Sequence, residues 1–252
     1  MTAAAPSLPA GYRLFPRARV GSTNDEAKAL ALAGGEDGSV VWALEQSAGR
    51  GRHGRAWASP AGNLYMSILT RPERPPGEAA ALGFVAGLAV ADALGELAPT
   101  LPQPRCKWPN DILVGGRKIA GILLEAEVGA GGRLGFVVVG IGVNLVSAPT
   151  AVAFPATSVA GEGAPAPAPA AALAAVVGSF DRWNRLWLAQ GFAPVRAAWR
   201  ERALALGSEI RVRLETATLH GRFADIDQDG ALLLDTGGEL RRISAGDVFP
   251  AR

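Results

Sequence analysis

The spacing of apolar and polar positions changes character partway along the chain. In the first four-fifths, helical and strand periods alternate. The stretch Gly21-Ser22-Thr23-Asn24-Asp25-Glu26, followed by Ala- and Leu-rich residues, predicts a helix that ends at Gly34-Gly35. Thr23 is the expected cap, with Glu26 three positions on closing a capping box. Asp25 and Glu26 suit the positive end of the helix dipole. Residues 39–45 and 64–70 read as strands, and the Gly- and Arg-rich residues 46–62 between them as a loop. Residues 78–97 predict a long Ala-rich helix with Leu82, Val85, Ala89 and Leu94 near one face. Residues 111–114 and 118–127 flank Gly115-Gly116 and predict a hairpin. Residues 134–145 are apolar enough for a strand buried on both faces. Residues 149–172, rich in Ala and Pro, read as a surface connector. Two closing helices, 173–188 and 194–206, carry Trp183, Trp187 and Trp199 as packing surface. From Glu209 onward the period shortens to two. Turns at Asp227-Gln228-Asp229-Gly230 and Thr236-Gly237-Gly238 separate short apolar runs. Five short strands in about 45 residues predict a small β-barrel on an α+β body. A barrel that small is expected to pack on the main domain.

Composition narrows the function classes. Of 252 residues, 49% are hydrophobic and 19% charged, which excludes a disordered chain. A single cysteine, Cys106, allows neither an intramolecular disulfide nor a multi-Cys zinc site, and it reads as a small buried filler. Two histidines, His53 and His220, argue against a multi-His metal site. The net charge of +2 makes no case for nucleic acid. Residues 1–6 lack the pattern of a secretory signal, and no uninterrupted apolar stretch has the length of a membrane span. A soluble cytoplasmic protein that does not engage a membrane is expected.

Two constellations carry the chemistry. Gly49-Arg50-Gly51-Arg52-His53-Gly54 satisfies G-x-G-x-x-G, but Pro60 and Gly62 break the helix that dinucleotide binding requires next. Arg50, Arg52 and Arg55 are hinged by three glycines with Trp57 alongside. Such a loop could be a solvated basic segment, an Arg-aromatic RNA surface, or a closure over an anionic ligand. The second is Lys107-Trp108-Pro109-Asn110-Asp111, where Pro109 pushes Trp108 into an extended conformation. It could serve phosphate, metal or an amine, or merely form a salt-bridged turn. Lys118 precedes Gly121, which permits close approach of a ligand. Gly140-x-Gly142-x-Asn144 repeats that thinning of a strand.

Together these pieces resemble the biotin–protein ligase family. The resemblance rests on Ser22-Thr23-Asn24, on Gln46 followed by the Gly49–Trp57 run, on Lys107-Trp108-Pro109-Asn110-Asp111, on Lys118-x-x-Gly121 and on Gly140-x-Gly142-x-Asn144. It covers nearly the whole chain. It implies a catalytic domain over 1–205, like class II aminoacyl-tRNA synthetases and lipoate ligases, and an SH3-like domain over 206–252. It also implies activation of biotin with ATP and Mg2+ to biotinyl-5′-AMP, then transfer to a lysine of a biotin carboxyl carrier protein or domain. A carboxylate attacking a phosphate brings two anions together, so the barrier is largely electrostatic. Lys118, Arg50 and Lys107 are the cations assigned to it, with Asp111 as orienter or base toward the carrier lysine. The biotin site implied is Ser22, Thr23, Asn24, Gln46, Arg50, Gly51, Arg52, Lys118 and Gly121. The ATP site implied is Arg50, Arg52, Arg55, Trp57, Asn110 and Asn144. No magnesium ligand is identified. Only about 20 residues precede Ser22, too few for a helix-turn-helix module, so no DNA binding or repressor role is expected. Pairing of two copies through an exposed edge near 134–145 is the expected route to a homodimer. Two other readings stand beside this one: ligation of another carboxylic acid such as lipoate, and an RNA-binding module.

Overall fold

The computed structural model describes residues 6–129, 132–150, 152 and 154–251. Residues 1–5, on which the expectation of no secretory signal mainly rests, lie outside that range. Seven strands form one mixed sheet: β1 (Arg13–Val20), β2 (Ser39–Gln46), β3 (Leu64–Thr70), β4 (Arg105–Lys107), β5 (Asp111–Val114), β6 (Arg117–Val128) and β7 (Leu134–Val143). Their spatial order is β1-β2-β3-β7-β6-β5-β4. The β1–β2 pair is parallel and the other pairs are antiparallel. The β5–β6 hairpin turns on Gly115 and Gly116 at φ 55° and 76°, a conformation that glycine adopts freely.

Two strands escape the hydrophobic pattern, and both lie at the sheet margins. β1 reads RLFPRARV and is mostly exposed. Its arginines and Pro16 suit an edge strand and leave it without an apolar run. β4 has three residues, and its outer side is covered where Leu204 N–H donates to the Cys106 carbonyl at 2.7 Å. β7 is not an edge strand. It sits between β3 and β6, so the expected dimer contact near 134–145 is unavailable, both of its hydrogen-bonding sides being used within the chain.

Helix α1 (Thr23–Leu32) covers one face of the sheet, burying Ala27 and Ala31 against Val41, Leu69, Phe136 and Val138. Its expected capping box does not form. Ser22 is the extended N-cap residue and makes no side-chain cap bond. Thr23 is already helical, its hydroxyl is bonded to Gln46, and Glu26 pairs with Arg17 at 3.4 Å. On the other face lie α2 (Ala81–Leu97), α3 (Pro169–Gln190) and α4 (Phe192–Arg202). α2 is buried almost all round rather than on one face. With the turn before it, residues 76–97 are long and apolar enough to cross a membrane, at mean hydropathy 1.6. Scattered polar positions keep this stretch from being an uninterrupted apolar run, and most of its surface is covered by the protein's own core. α3 starts at Pro169, inside the expected connector, because proline at the first turn is already set for a helix.

The C-terminal unit holds β8 (Glu209–Arg213), β9 (Thr218–Ile226), β10 (Leu232–Asp235), β11 (Leu240–Ile243) and β12 (Asp247–Pro250), ordered β11-β10-β9-β8-β12. It does pack on the body. Ile210, Val212 and Phe223 belong to the same buried cluster as the helices. The Trp108 indole N–H donates to the Gly230 carbonyl at 3.0 Å, and Arg196 and Arg200 grip Asp225 at 3.0 and 2.7 Å. The Trp108–Pro109 peptide between these contacts is cis.

Candidate active site

Gly121 and Gly142 lie opposite one another on β6 and β7. A Cβ on Gly142 would fall 2.6 Å from the Trp57 indole nitrogen, and one on Gly121 3.1 Å from the Trp57 ring and 3.2 Å from Lys118 Nζ. A Cβ on Gly140 would overlap the Asn24 amide. These glycines therefore make room first for the protein's own Trp57, Lys118 and Asn24. Gly121 nonetheless lines the cavity. Above this floor opens a cavity of about 390 Å³.

One end of the cavity is neutral and polar. It is built where α1 starts and β2 stops, and it includes Ser22, Thr23, Asn24 and Gln46. The Thr23 backbone N–H and hydroxyl both donate to Gln46 Oε1, at 2.8 and 3.1 Å. The Gln46 amide donates to Ser59 Oγ at 2.9 Å, which fixes which end of that amide faces each neighbour. Buried Ser67 lies beneath, 2.8 Å from Thr23 Oγ1 and 2.6 Å from Asn24 Oδ1. Asn24 donates in turn to Glu125 at 2.6 Å. Its amide is thus engaged on both sides, holding the start of α1 in place.

The middle is charged. Asp111 sits between two lysines, its oxygens 3.1 Å from Lys107 Nζ and 2.5 Å from Lys118 Nζ. Burial pushes the Asp111 carboxyl up, but the two ammonium groups outweigh burial and hold it below the ordinary range. Burial also lowers the Lys107 ammonium, with Asp111 opposing. Lys107 faces the Phe154 ring at 4.7 Å, and Lys118 faces Trp57 at 5.2 Å. All three charges ride on strand ends or the β4–β5 turn, so the sheet aims them.

The Gly- and Arg-rich loop closes the top as a small hairpin. Gly51 N–H donates to the Arg55 carbonyl at 2.7 Å and Trp57 N–H to the Gly49 carbonyl at 2.9 Å. At its tip His53 takes φ 55°, a left-handed conformation uncommon for a residue with a side chain. Arg50 makes a two-point contact with Asp25, both distances 2.6 Å, and lies 3.7 Å from Glu125. Arg52 donates to the Gly246 carbonyl at 3.2 Å and to Asn110 Oδ1 at 3.4 Å. Arg55 donates to Asp247 at 3.0 Å.

All the residues assigned from the sequence to the catalytic, biotin and ATP sites line this one cavity. Ser22, Thr23, Asn24, Gln46, Arg50, Gly51, Arg52, Arg55, Trp57, Lys107, Asn110, Asp111, Lys118, Gly121 and Asn144 are brought together. The two asparagines on the strand ends, Asn110 and Asn144, are also taken up by the backbone. Asn110 donates to the Ile122 carbonyl at 2.6 Å, and Asn144 donates to the Thr157 carbonyl at 3.0 Å. Two groups of lining residues carry no motif in the sequence. Pro149, Val152, Phe154 and Ala156 come from the stretch expected to be a connector, which is thereby corrected. Asn63 steadies its approach by accepting from the backbone N–H groups of Leu145, Val146 and Ser147. Arg213, Asp247 and Phe249 come from the C-terminal unit. The cations of the cavity are paired within the chain. Arg50, Arg52, Arg55, Lys107, Lys118 and Arg213 line the cavity against only Asp111 and Asp247, yet each of the six lies within 4 Å of a carboxylate. Among the described residues no three His, Cys, Asp or Glu side chains gather as a metal cage.

Both the sequence and the fold match known proteins. The profile of the Biotin/lipoate A/B protein ligase family matches residues 17–144, and that of the Biotin protein ligase C terminal domain matches residues 205–249. A biotin–[acetyl-CoA-carboxylase] ligase of Paracoccus denitrificans is 46% identical over 238 residues, spanning 92% of this chain and 98% of that protein. One of Mycobacterium tuberculosis is 39% identical, spanning 93% and 88%. The fold is similar to that of the biotin protein ligase from Aquifex aeolicus in complex with biotin and ATP. That match has a TM-score of 0.78 and 26% identity, over 94% of this chain and 97% of that one.

Proposed function

The chain belongs to the biotin/lipoate A/B protein ligase family, and we propose that it acts there as an ATP-dependent biotin–protein ligase. The observation that carries this reading is one cavity with a neutral donor-and-acceptor end at Thr23 and Gln46 and a paired-lysine centre at Asp111. A ureido ring both donates and accepts, so it suits the first end. A dithiolane ring has no hydrogen bonds to exchange with those groups, which disfavours lipoate. A cleft whose cations are already paired with carboxylates also offers little to RNA.

In this reading the biotin carboxylate lies beside Lys118 and the ATP α-phosphate near Lys107 and Arg50. Carboxylate oxygen attacks phosphorus and pyrophosphate leaves, giving the mixed anhydride. The lysines screen two anions from each other where water is scarce, and there a fixed charge acts most strongly. The carrier lysine's neutral amine then attacks the acyl carbon, forming the amide and releasing AMP, with the amine's surplus proton lost to water. Asp111, held ionised below the usual range, is a weak proton acceptor. We assign it to orienting Lys107, Lys118 and the incoming amine rather than to general-base work. Trp57, Asn110 and Asn144 border the nucleotide side, and the arginine loop excludes water from the anhydride. The residues do not fit a protein-held magnesium, because Asp111 and Asp247 are both ion-paired. Magnesium therefore enters as part of the MgATP substrate, and no step here runs through it. We assign residues 1–205 to catalysis and 206–252 to the SH3-like unit, and place the reaction in the cytoplasm, where ATP is supplied.

The test is biotin-dependent exchange of pyrophosphate into ATP, with lipoate as competitor, followed by biotin transfer to a purified carboxyl carrier domain. Biotin-driven exchange and labelling of one carrier lysine are expected. Exchange driven by lipoate alone would move the protein to the other branch of its family.

A further inference from the structure

The arginine loop is anchored from the far end of the chain. Asp247 opens β12 and lies 192 residues from Arg55 in sequence, yet their side chains meet at 3.0 Å. The same oxygen lies 3.7 Å from Arg52, while the other accepts from Arg213 at 3.2 Å. Next to it, the Gly246 carbonyl accepts from Arg52. The Asp247 side chain is 18% exposed and that of Arg52 19%, so this contact is partly screened from water on both sides, unlike the Arg222–Asp235 and Arg241–Glu239 pairs. Burial pushes the Asp247 carboxyl up, and Arg55, Arg213 and Arg52 bring it below its ordinary range, so it is ionised at neutral pH. The glycines that let the loop move are Gly49, Gly51 and Gly54, and no hydrogen bond from Arg52 or Arg55 to the sheet is as short as the one to Asp247.

We infer that Asp247 is a positioning residue that latches the arginine loop closed, so that the C-terminal unit sets how long the cavity retains its activated intermediate. The latch rests on the proposed ligase reading for what is retained, but not for its mechanical part. Asp247 touches none of the reacting groups in that reading. It acts through Arg52 and Arg55.

The closing experiment has two arms, each run on the full chain. In ligand-free protein, limited trypsin digestion reads cleavage after Arg50, Arg52 and Arg55. Asp247→Asn should speed that cleavage severalfold, since cleavage follows the population of the open loop. In the second arm, preformed biotinyl-5′-AMP is chased and its release followed. Losing a charge-assisted contact should raise the release rate about tenfold while the rate of adenylate formation changes far less. Asp247→Glu should restore part of both, and Asp235→Asn, which breaks an exposed ion pair with Arg222 in the same unit, should alter neither. Should Asp247→Asn unfold the C-terminal unit, as read by circular dichroism, Arg55→Ala severs the loop side alone and should still speed release about threefold. Unchanged cleavage and release in the variants would overturn the latch. So would slower release, which would mean that the contact holds the loop away from the ligand. If the wild-type protein forms no biotinyl-5′-AMP, the ligase reading fails and the digestion arm still decides the latch.

Discussion

The cavity takes positive charge from two sources that are held in different ways. Lys107 and Lys118 stand on the sheet and share one carboxylate, Asp111, which stands on the same sheet. Arg50 and Arg55 stand on a glycine-hinged loop and reach for carboxylates elsewhere, Asp25 on α1 and Asp247 on β12. The lysine side chains are 6% and 24% exposed, and those two arginines 34% and 54%. Charges on the sheet are aimed before any ligand arrives, which is what electrostatic stabilisation of a transition state requires. Charges on the loop can exchange partners, which is what admission and release require. In the proposed reading the centre therefore serves the chemistry and the loop serves access.

Four substitutions can break that comparison. The largest effect belongs to Lys118→Ala, which should lower adenylate formation about 100- to 1000-fold, the usual loss of one preorganised charge. Asp111 keeps Lys107 as partner, so the melting temperature should hardly move. Pyrophosphate exchange within tenfold of wild type would mean that the sheet-borne charge does not act on the reacting anions. Next comes Asp111→Asn, which leaves two lysines facing each other without their counter-charge. It should cost about 3 kcal/mol in denaturant unfolding. Its pH signature has a definite sign. The folded carboxyl sits below its ordinary 3.8, so its stabilisation is complete above that value and is lost as pH falls through the folded one. The Asn variant should therefore have a flatter acid limb than wild type.

Gly142→Ala sharpens the contrast from the floor. Its new methyl would meet the Trp57 indole nitrogen at 2.6 Å. Relieving that overlap should cost about 1–3 kcal/mol, read as roughly tenfold weaker ATP binding by calorimetry. Arg55→Ala should have the smallest effect. Its pair with Asp247 is more than half exposed on the arginine side, so stability should change by less than about 1 kcal/mol. A large stability loss there would show the loop to be as fixed as the sheet.

Much of the molecule is legible in its residues alone. The strand–loop–strand order around 39–70 rests on short-range rules, namely apolar runs bounded by Gly and Pro. The Gly-Gly hairpin likewise needs no more than its own residues. The site motifs are readable because each is a cluster within a few positions. β1 is illegible because an edge strand with arginines and a proline carries no apolar period. The capping box fails because Thr23 has a competing long-range partner in Gln46, which no local pattern reveals.

The sequence by itself determined which residues could do the chemistry, since residue type and close spacing are properties of the chain. Lysine beside Pro-Asn-Asp, arginines between glycines, and glycines thinning a strand are all visible in one dimension. Beyond the local Lys107–Asp111 pair, tertiary structure decided their counter-ions. Asp111 serving both lysines, Asp25 holding Arg50 and Asp247 holding Arg55 across 192 residues depend on where separate elements come to rest. Ion pairing is set by distance in space, falls off within a few ångströms and carries no periodic trace along the chain. The same holds for α2, whose apolar surface could serve a membrane or a core. Packing of α3, α4 and the sheet around it made it a core.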